Sequence, residues 1–292
     1  VPPDTPGRPS PEDHEATPAP GPPRARAVPI DALPSALGRV AEIAREVGGR
    51  EPVVLLDFDG TLAPIVERPE DAALPEPTRA RLAVLASRRG VAIVSGRDLD
   101  DLRRRVALDE VYYAGCHGMR VAGPGGFARE HEEARRFVPA LDEAQARLER
   151  ELAPIDGVQV ERKRFAVAVH FRRAPGAGEQ VRRAVERARG AGGGLRSSDG
   201  RMVLELRPGI NWDKGAAIGW LLEALGLDEE RAFPIYVGDD VTDEDAFAAV
   251  ERRGLPIVVR GRDGTTRARL SLADTDEVRE LLGRLDAELE HR

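Results

Sequence analysis

The chain has 292 residues, 33% of them charged and 41% hydrophobic, which fits a globular protein of one large or two smaller domains. Its net charge of −7 argues against a general nucleic-acid binder, and no apolar run approaches the ~18 residues that a membrane span needs. The single cysteine, Cys116, permits no internal disulfide, so a reducing cytoplasm is the expected compartment. The start shown is Val1, and no signal-peptide pattern is read there. Of 44 basic residues only Lys163 and Lys214 are lysines, which draws attention to both. A compact ammonium serves where a planar guanidinium does not fit.

Residues 1–29 hold ten prolines and few large apolar side chains, so they read as a disordered tail. From Ile30 a helix is predicted, with Leu33, Leu37, Val40, Ile43 and Val47 on one face and Gly48-Gly49 as its end. Short apolar runs at 53–56, 91–94, 111–114, 235–237 and 257–259 predict buried strands, with amphipathic helices between several of them. That alternation predicts an α/β fold with a doubly wound parallel sheet. The middle of the chain follows another rhythm. A helix through Phe137–Leu152 precedes strands near 158–163 and 165–172. A helix near 179–189 then precedes strands across 195–206, turning at Asp199-Gly200. A small α+β unit at 134–208 is therefore expected to interrupt a core of 30–133 and 209–292.

Several strands end in residues suited to chemistry, where open parallel sheets bind ligands. The first ends in Asp57-Phe58-Asp59-Gly60-Thr61, the second in Ser95-Gly96-Arg97, and the 235–237 strand in Gly238-Asp239-Asp240 before Val241-Thr242-Asp243. Clustered carboxylates repel unless a cation sits among them, and Mg²⁺ suits oxygen ligands that share a phosphate. Asp57 and Asp59 are two residues apart, so an extended backbone aims them the same way. An EF-hand loop does not fit, because Gly60 falls at the fourth position and a strand precedes it. Thr242 to Asp245 also reads as a helix capping box, which accounts for Asp245 without chemistry.

These motifs, with the later Lys214 in Asp213-Lys214-Gly215, resemble the haloacid dehalogenase superfamily. The resemblance implies Asp57 as nucleophile, Asp59 as general acid/base, Ser95 as a donor to the phosphoryl group and Lys214 as the charge between them. It implies that Asp57, the Asp59 carbonyl and Asp239 hold Mg²⁺, with Asp243 assisting directly or through water. Over 50–290 the chain resembles the trehalose-6-phosphate phosphatases in particular. The matching stretches include Asp57-Phe58-Asp59-Gly60-Thr61-Leu62-Ala63-Pro64, Val94-Ser95-Gly96-Arg97, Ala114-Gly115-Cys116-His117-Gly118, Glu161-Arg162-Lys163, His170-Phe171-Arg172 and Glu205-Leu206-Arg207-Pro208.

That resemblance makes the inserted unit a cap over the sugar and puts Glu161, Lys163, Arg172 and Glu205 at the substrate. Gly96, Arg97, His117 and Gly118 complete the expected binding set. His117 and His170 read equally well as structural histidines, and Cys116 reads as a packed residue. The expected substrate is a sugar phosphate, the expected state a monomer, and a trehalose-phosphate synthase the protein partner suggested. Two alternatives remain open at this point: a phosphatase for another sugar phosphate, such as sucrose phosphate, and a non-catalytic sugar-phosphate-binding regulatory domain.

Overall fold

The computed structural model describes residues 27–191, 194–200, 202–227 and 230–291. The first strands are Glu51–Leu56 (β1), Gly90–Val94 (β2) and Tyr112–Gly115 (β3), followed by the short Arg120–Ala122 (β4) and Ala128–Glu130 (β5). Then come Gln159–Lys163 (β6), Ala166–His170 (β7), Leu195–Gly200 (β8) and Val203–Pro208 (β9). Ala232–Gly238 (β10), Leu255–Val259 (β11) and Leu270–Leu272 (β12) close the series. The main sheet has the order β12-β11-β10-β1-β2-β3-β4-β5. It is parallel from β12 to β3, and β4 and β5 extend it antiparallel.

Both faces of the parallel part are covered, which is why its strands are apolar throughout instead of alternating. Val54 and Leu56 point to one face, against helices Val40–Val47, Glu76–Ala86, Leu99–Val106 and Thr275–Glu290. Val53 and Leu55 point to the other, against Lys214–Ala224 and Glu244–Val250. Each large side chain so buried contributes about 1.5–3 kcal/mol.

A second sheet, order β6-β7-β9-β8, is antiparallel throughout. Its own core joins Val167, Val169 and Leu206 to helices Val138–Leu152 and Gly178–Ala191. Cys116, Met119, Phe165, Ile210 and Trp212 form a small apolar cluster, with Phe165 from the β6–β7 turn and Cys116 beyond β3.

Four details depart from the sequence reading. The helix expected from Ile30 is broken into 3₁₀ turns at Ile30–Ala32 and Leu37–Arg39 before the helix Val40–Val47. Pro34 is the cause: Leu33 before it is extended, at ψ 138°, as a residue preceding proline prefers. The β8–β9 turn lies beyond Asp199-Gly200, because Gly200 still pairs with Val203. The β4–β5 hairpin was not foreseen, being only three residues a side. Val28–Pro29, assigned to the tail by composition, pair with Thr265–Thr266. The rest of the predicted tail, 1–26, lies outside the described residues.

Candidate active site

Sequential strands run outward in both directions from the β1–β10 pair, so the strand order reverses there. That reversal opens a crevice at the carboxyl ends of the two strands. Asp57 follows β1 and Asp239 follows β10, so topology alone brings them together. The Asp57 amide continues the ladder, donating to Val237 O at 2.9 Å. Gly60 then turns the chain at φ +85°, where a Cβ would stand 2.1 Å from Asp239 Oδ2. Only glycine lets this loop lie so close to Asp239.

Lys214 starts the helix Lys214–Ala224, whose N-cap Asp213 accepts from the Ala216 amide at 2.8 Å. Its buried ammonium donates to Asp57 Oδ1 at 2.7 Å and to Asp243 Oδ1 at 2.6 Å. Asp243, fully buried, also accepts from Tyr236 Oη at 2.6 Å and from the amides of Asp239 and Asp240 at 3.0 and 2.9 Å. The carboxylate therefore braces Lys214, Tyr236 and the acidic loop at once. The cap read at Thr242 and Asp245 is replaced by this Asp240–Asp243 arrangement.

Burial pushes the Asp57 carboxyl well up, helped by Asp243 and Asp239 and opposed by Lys214. Burial, Asp243 and Asp240 together raise Asp239 to about 7. Burial alone would lower Lys214, but Asp243 and Asp57 outweigh it and hold the ammonium firmly charged. Asp57, Asp239 and Asp243 offer oxygen atoms within 4.8 Å of one another. Such an all-oxygen donor set, with too little compensating charge, fits a hard divalent cation.

Asp59 is held differently. Arg97 Nε and Nη2 each donate to one of its oxygens at 2.7 Å, a bidentate pair. Arg97 is anchored in turn by Asp101 at 3.1 Å. Ser95 is buried at the end of β2, and its Oγ accepts from the Arg97 amide at 3.2 Å. Arg97, expected to bind substrate, is thus placed on the Asp59 carboxylate.

Beyond β3 the chain makes an unusual turn. Cys116, His117 and Gly118 all have positive φ, at 51°, 56° and 85°. Two of these are side-chain-bearing residues in the left-handed region, and such strain collects at functional sites. The turn is held by Cys116 N to Arg97 O at 2.7 Å and His117 N to Ser95 O at 2.9 Å. Gly118 packs on Ala217 of the Lys214 helix, where a Cβ would meet Ala217 Cβ at 2.2 Å. Gly96 similarly leaves room for the His117 ring, 2.8 Å from where its Cβ would lie. Burial and Asp98 push the Cys116 thiol up to about 12, which suits packing and not nucleophilic attack.

Lys163 of β6 reaches this region, donating to Glu205 Oε1 at 2.8 Å and to Gly96 O at 3.2 Å. His117 Nε2 lies 3.2 Å from the other Glu205 oxygen. Burial would raise the Glu205 pKa, yet Lys163 and His117 hold it far below the usual carboxylate range. Glu161 pairs with His170 at 2.8 Å, one step further along the same sheet face. Arg172 donates to Val66 O at 3.3 Å and to Glu67 O, bridging the second sheet to the loop after β1.

Three residues of this site escaped the sequence reading. Tyr236 looks like any apolar strand residue, yet its hydroxyl meets Asp243. Trp212 donates from Nε1 to His117 O at 3.0 Å. Asp98 accepts from the Arg164 amide at 3.0 Å, a further link between the two sheets' surroundings. Only the Asp98 position, an acidic residue before a helix, carried a signal, and it pointed to capping.

Comparison with known proteins accords with this geometry. The family model described as trehalose-phosphatase matches residues 55–277. A trehalose-phosphate phosphatase of Mycobacterium avium is 43% identical over 84% of this chain and 63% of its own length. A Mycobacterium tuberculosis protein described as an uncharacterized glycosyl hydrolase is 46% identical over 79% of this chain, but only 18% of its own length. The chain thus spans less than two thirds of either relative. A crystal structure of a trehalose-6-phosphate phosphatase related protein superimposes with a TM-score of 0.70 at 28% identity, over 82% of this chain and 98% of that one. With its matched region running from β1 into the last helix and both strand-end acidic loops inside it, the chain belongs to the trehalose-phosphatase family.

Proposed function

We propose that the chain is a Mg²⁺-dependent phosphatase that converts trehalose 6-phosphate to trehalose and inorganic phosphate through a phosphorylated Asp57. The observation that carries this reading is Lys214, fixed between Asp57 and Asp243 where β1 and β10 diverge. Lys214 orients the Asp57 carboxylate and offsets the charge of an arriving phosphate. Attack forms an Asp57 O–P bond as the P–O bond to the sugar breaks, and Asp59 gives its proton to the leaving oxygen. Water then attacks phosphorus, Asp59 takes its proton, and the Asp57 O–P bond breaks to release phosphate.

Ser95 is read as a donor to the phosphoryl oxygens, and Arg97 as the group that aims Asp59. Asp57, the Asp59 carbonyl and Asp239 are the proposed ligands of Mg²⁺, which when bound supplies positive charge to the phosphoryl oxygens. Asp243 acts through Lys214 and the Asp239 and Asp240 amides, since both its oxygens already accept hydrogen bonds. Residues 134–208 are the proposed cap, with Glu161, Lys163, Arg172 and Glu205 toward the sugar, and Gly96, His117 and Gly118 shaping the floor beneath it.

Phosphate release from trehalose 6-phosphate, sucrose 6-phosphate and glucose 6-phosphate, with Mg²⁺ and with EDTA, tests the reading. Preferred turnover of the first, abolished by EDTA, is expected. Equal turnover of sucrose 6-phosphate would point to a broader sugar phosphatase. Binding of trehalose 6-phosphate without turnover would point to a regulatory module.

A further inference from the structure

A cavity of about 300 Å³ has His117 and Lys214 in its lining. Its walls come from both sheets' surroundings: Arg196 and Arg207 from β8 and β9, and Asn211, Trp212, Asp213, Lys214, Thr242 and Asp245 from the core. None of Asp57, Asp59, Ser95, Asp239, Glu161, Lys163 or Arg172 lines it. The mechanism above makes no use of Arg196 or Arg207.

The two arginines are directly opposed in the ladder, Arg207 pairing with Arg196, so their side chains leave the same face. Like charges so placed repel unless something negative lies between them. Among the described residues, no carboxylate hydrogen-bonds to either arginine of the pair. Arg207 Nε is 3.7 Å from Glu205 Oε2, beyond hydrogen-bond reach, and that carboxylate already serves Lys163 and His117. Asp213 caps its helix at the Ala216 amide. Asp245 also lines the cavity, with no hydrogen bond to either arginine among the described residues. Ser197 donates to Glu186 at 3.1 Å. The Arg207 side chain is only 16% exposed, and its Nε and that of Arg196 are buried with no hydrogen-bond partner among the described residues. Arg196 Nη2 donates to Trp212 O. Burial lowers the Arg207 pKa, Glu205 opposes the shift and Arg196 adds to it, so the shared Glu205 carboxylate does not fully offset the pair.

We propose that this cavity, which shares Lys214 and His117 with the catalytic centre, holds a second anion site in which the Arg196–Arg207 pair takes inorganic phosphate at the N-terminus of the Lys214 helix. A tetrahedral dianion matches paired guanidinium forks, and the helix dipole adds to the attraction. Thr242 and Asn211 supply further neutral hydrogen-bonding groups on the core wall. Phosphate is a product of the proposed reaction, so the site would fill as turnover proceeds.

Calorimetric titration of the full chain with inorganic phosphate in EDTA isolates this site. Without a divalent cation, the catalytic centre lacks the positive charge proposed to hold the phosphoryl oxygens. One equivalent is expected to bind, and Arg207→Gln or Arg196→Gln should weaken it about 10–150-fold, the loss typical of a charged hydrogen bond. Arg196→Gln sits on the edge strand β8 and keeps the test open should Arg207→Gln fail to fold. Adding Mg²⁺ should bring a further equivalent that both variants retain. Its absence would count against the catalytic reading and leave the second site untouched. No binding in EDTA, binding unchanged in the folded variants, or binding of trehalose in place of phosphate would overturn the proposal.

Discussion

Single side chains at this site do several jobs, and their hydrogen bonds say which loss matters. Asp57→Asn removes the proposed nucleophile and leaves Asp243 as the one carboxylate on Lys214. Turnover should vanish while the fold survives, which a phosphate-release assay beside a thermal melt would check. Lys163 is a subtler case, since it bonds Glu205 and the Gly96 carbonyl together. Lys163→Ala should lower kcat/KM for trehalose 6-phosphate about 10–150-fold, because a charged hydrogen bond is lost near the sugar. A small aryl phosphate needs only the phosphoryl machinery and should lose little. Equal losses on both substrates would show that Lys163 supports the catalytic floor through Gly96 and does not read the sugar.

At the scale of elements, the strands β1, β2, β3, β10 and β11 were legible because burial on both faces demands uninterrupted apolar runs. The acidic loops were legible because they follow those runs at once. What the sequence hid was set by contacts distant along the chain. Tyr236 meets Asp243 only after β10 and the following turn are formed. Arg207 meets Arg196 only through strand register. Pro34 was visible, yet the apolar spacing around it outweighed it in the reading, and the structure follows the proline. Gly60 shows how one loop position couples two elements. Its φ of +85° and the 2.1 Å from a notional Cβ to Asp239 Oδ2 mean that Gly60→Ala must displace Asp239. Mg²⁺ affinity should fall about 10–100-fold, as for other changes that misplace a ligand's support. A metal titration followed by activity would show it, and an unchanged affinity would mean that Asp239 is not a ligand.

For the whole molecule, the acidic centre ties stability to pH and, through the proposed cation site, to metal. Asp239 has an ordinary pKa of 3.8 and is raised to about 7 in the folded chain, by burial and by Asp243 and Asp240. Asp57 is displaced in the same direction. Above their ordinary values these groups keep in the folded state a proton that the unfolded state has lost, so their contribution to stability falls as pH rises from about 4, for Asp239 until about 7, while the lowered His117 contributes with the opposite sign below about 6.5. The contribution of Glu205 has the opposite sign. Its pKa is depressed, so its stabilisation is complete above its ordinary value of 4.5 and fades only below it. Across the upper part of the window, the Asp239 trend therefore runs free of Glu205. If a divalent cation takes the proposed site it stabilises the folded form by mass action, so added Mg²⁺ should flatten or reverse the decline. The measurement is the melting temperature against pH in EDTA and in Mg²⁺, for the parent chain and for Asp239→Asn. The parent should lose stability toward neutral pH in EDTA and regain it with Mg²⁺, while Asp239→Asn shows a weaker slope and a smaller response to the metal. Identical curves for the two chains would mean that Asp239 neither holds the proton nor binds the cation.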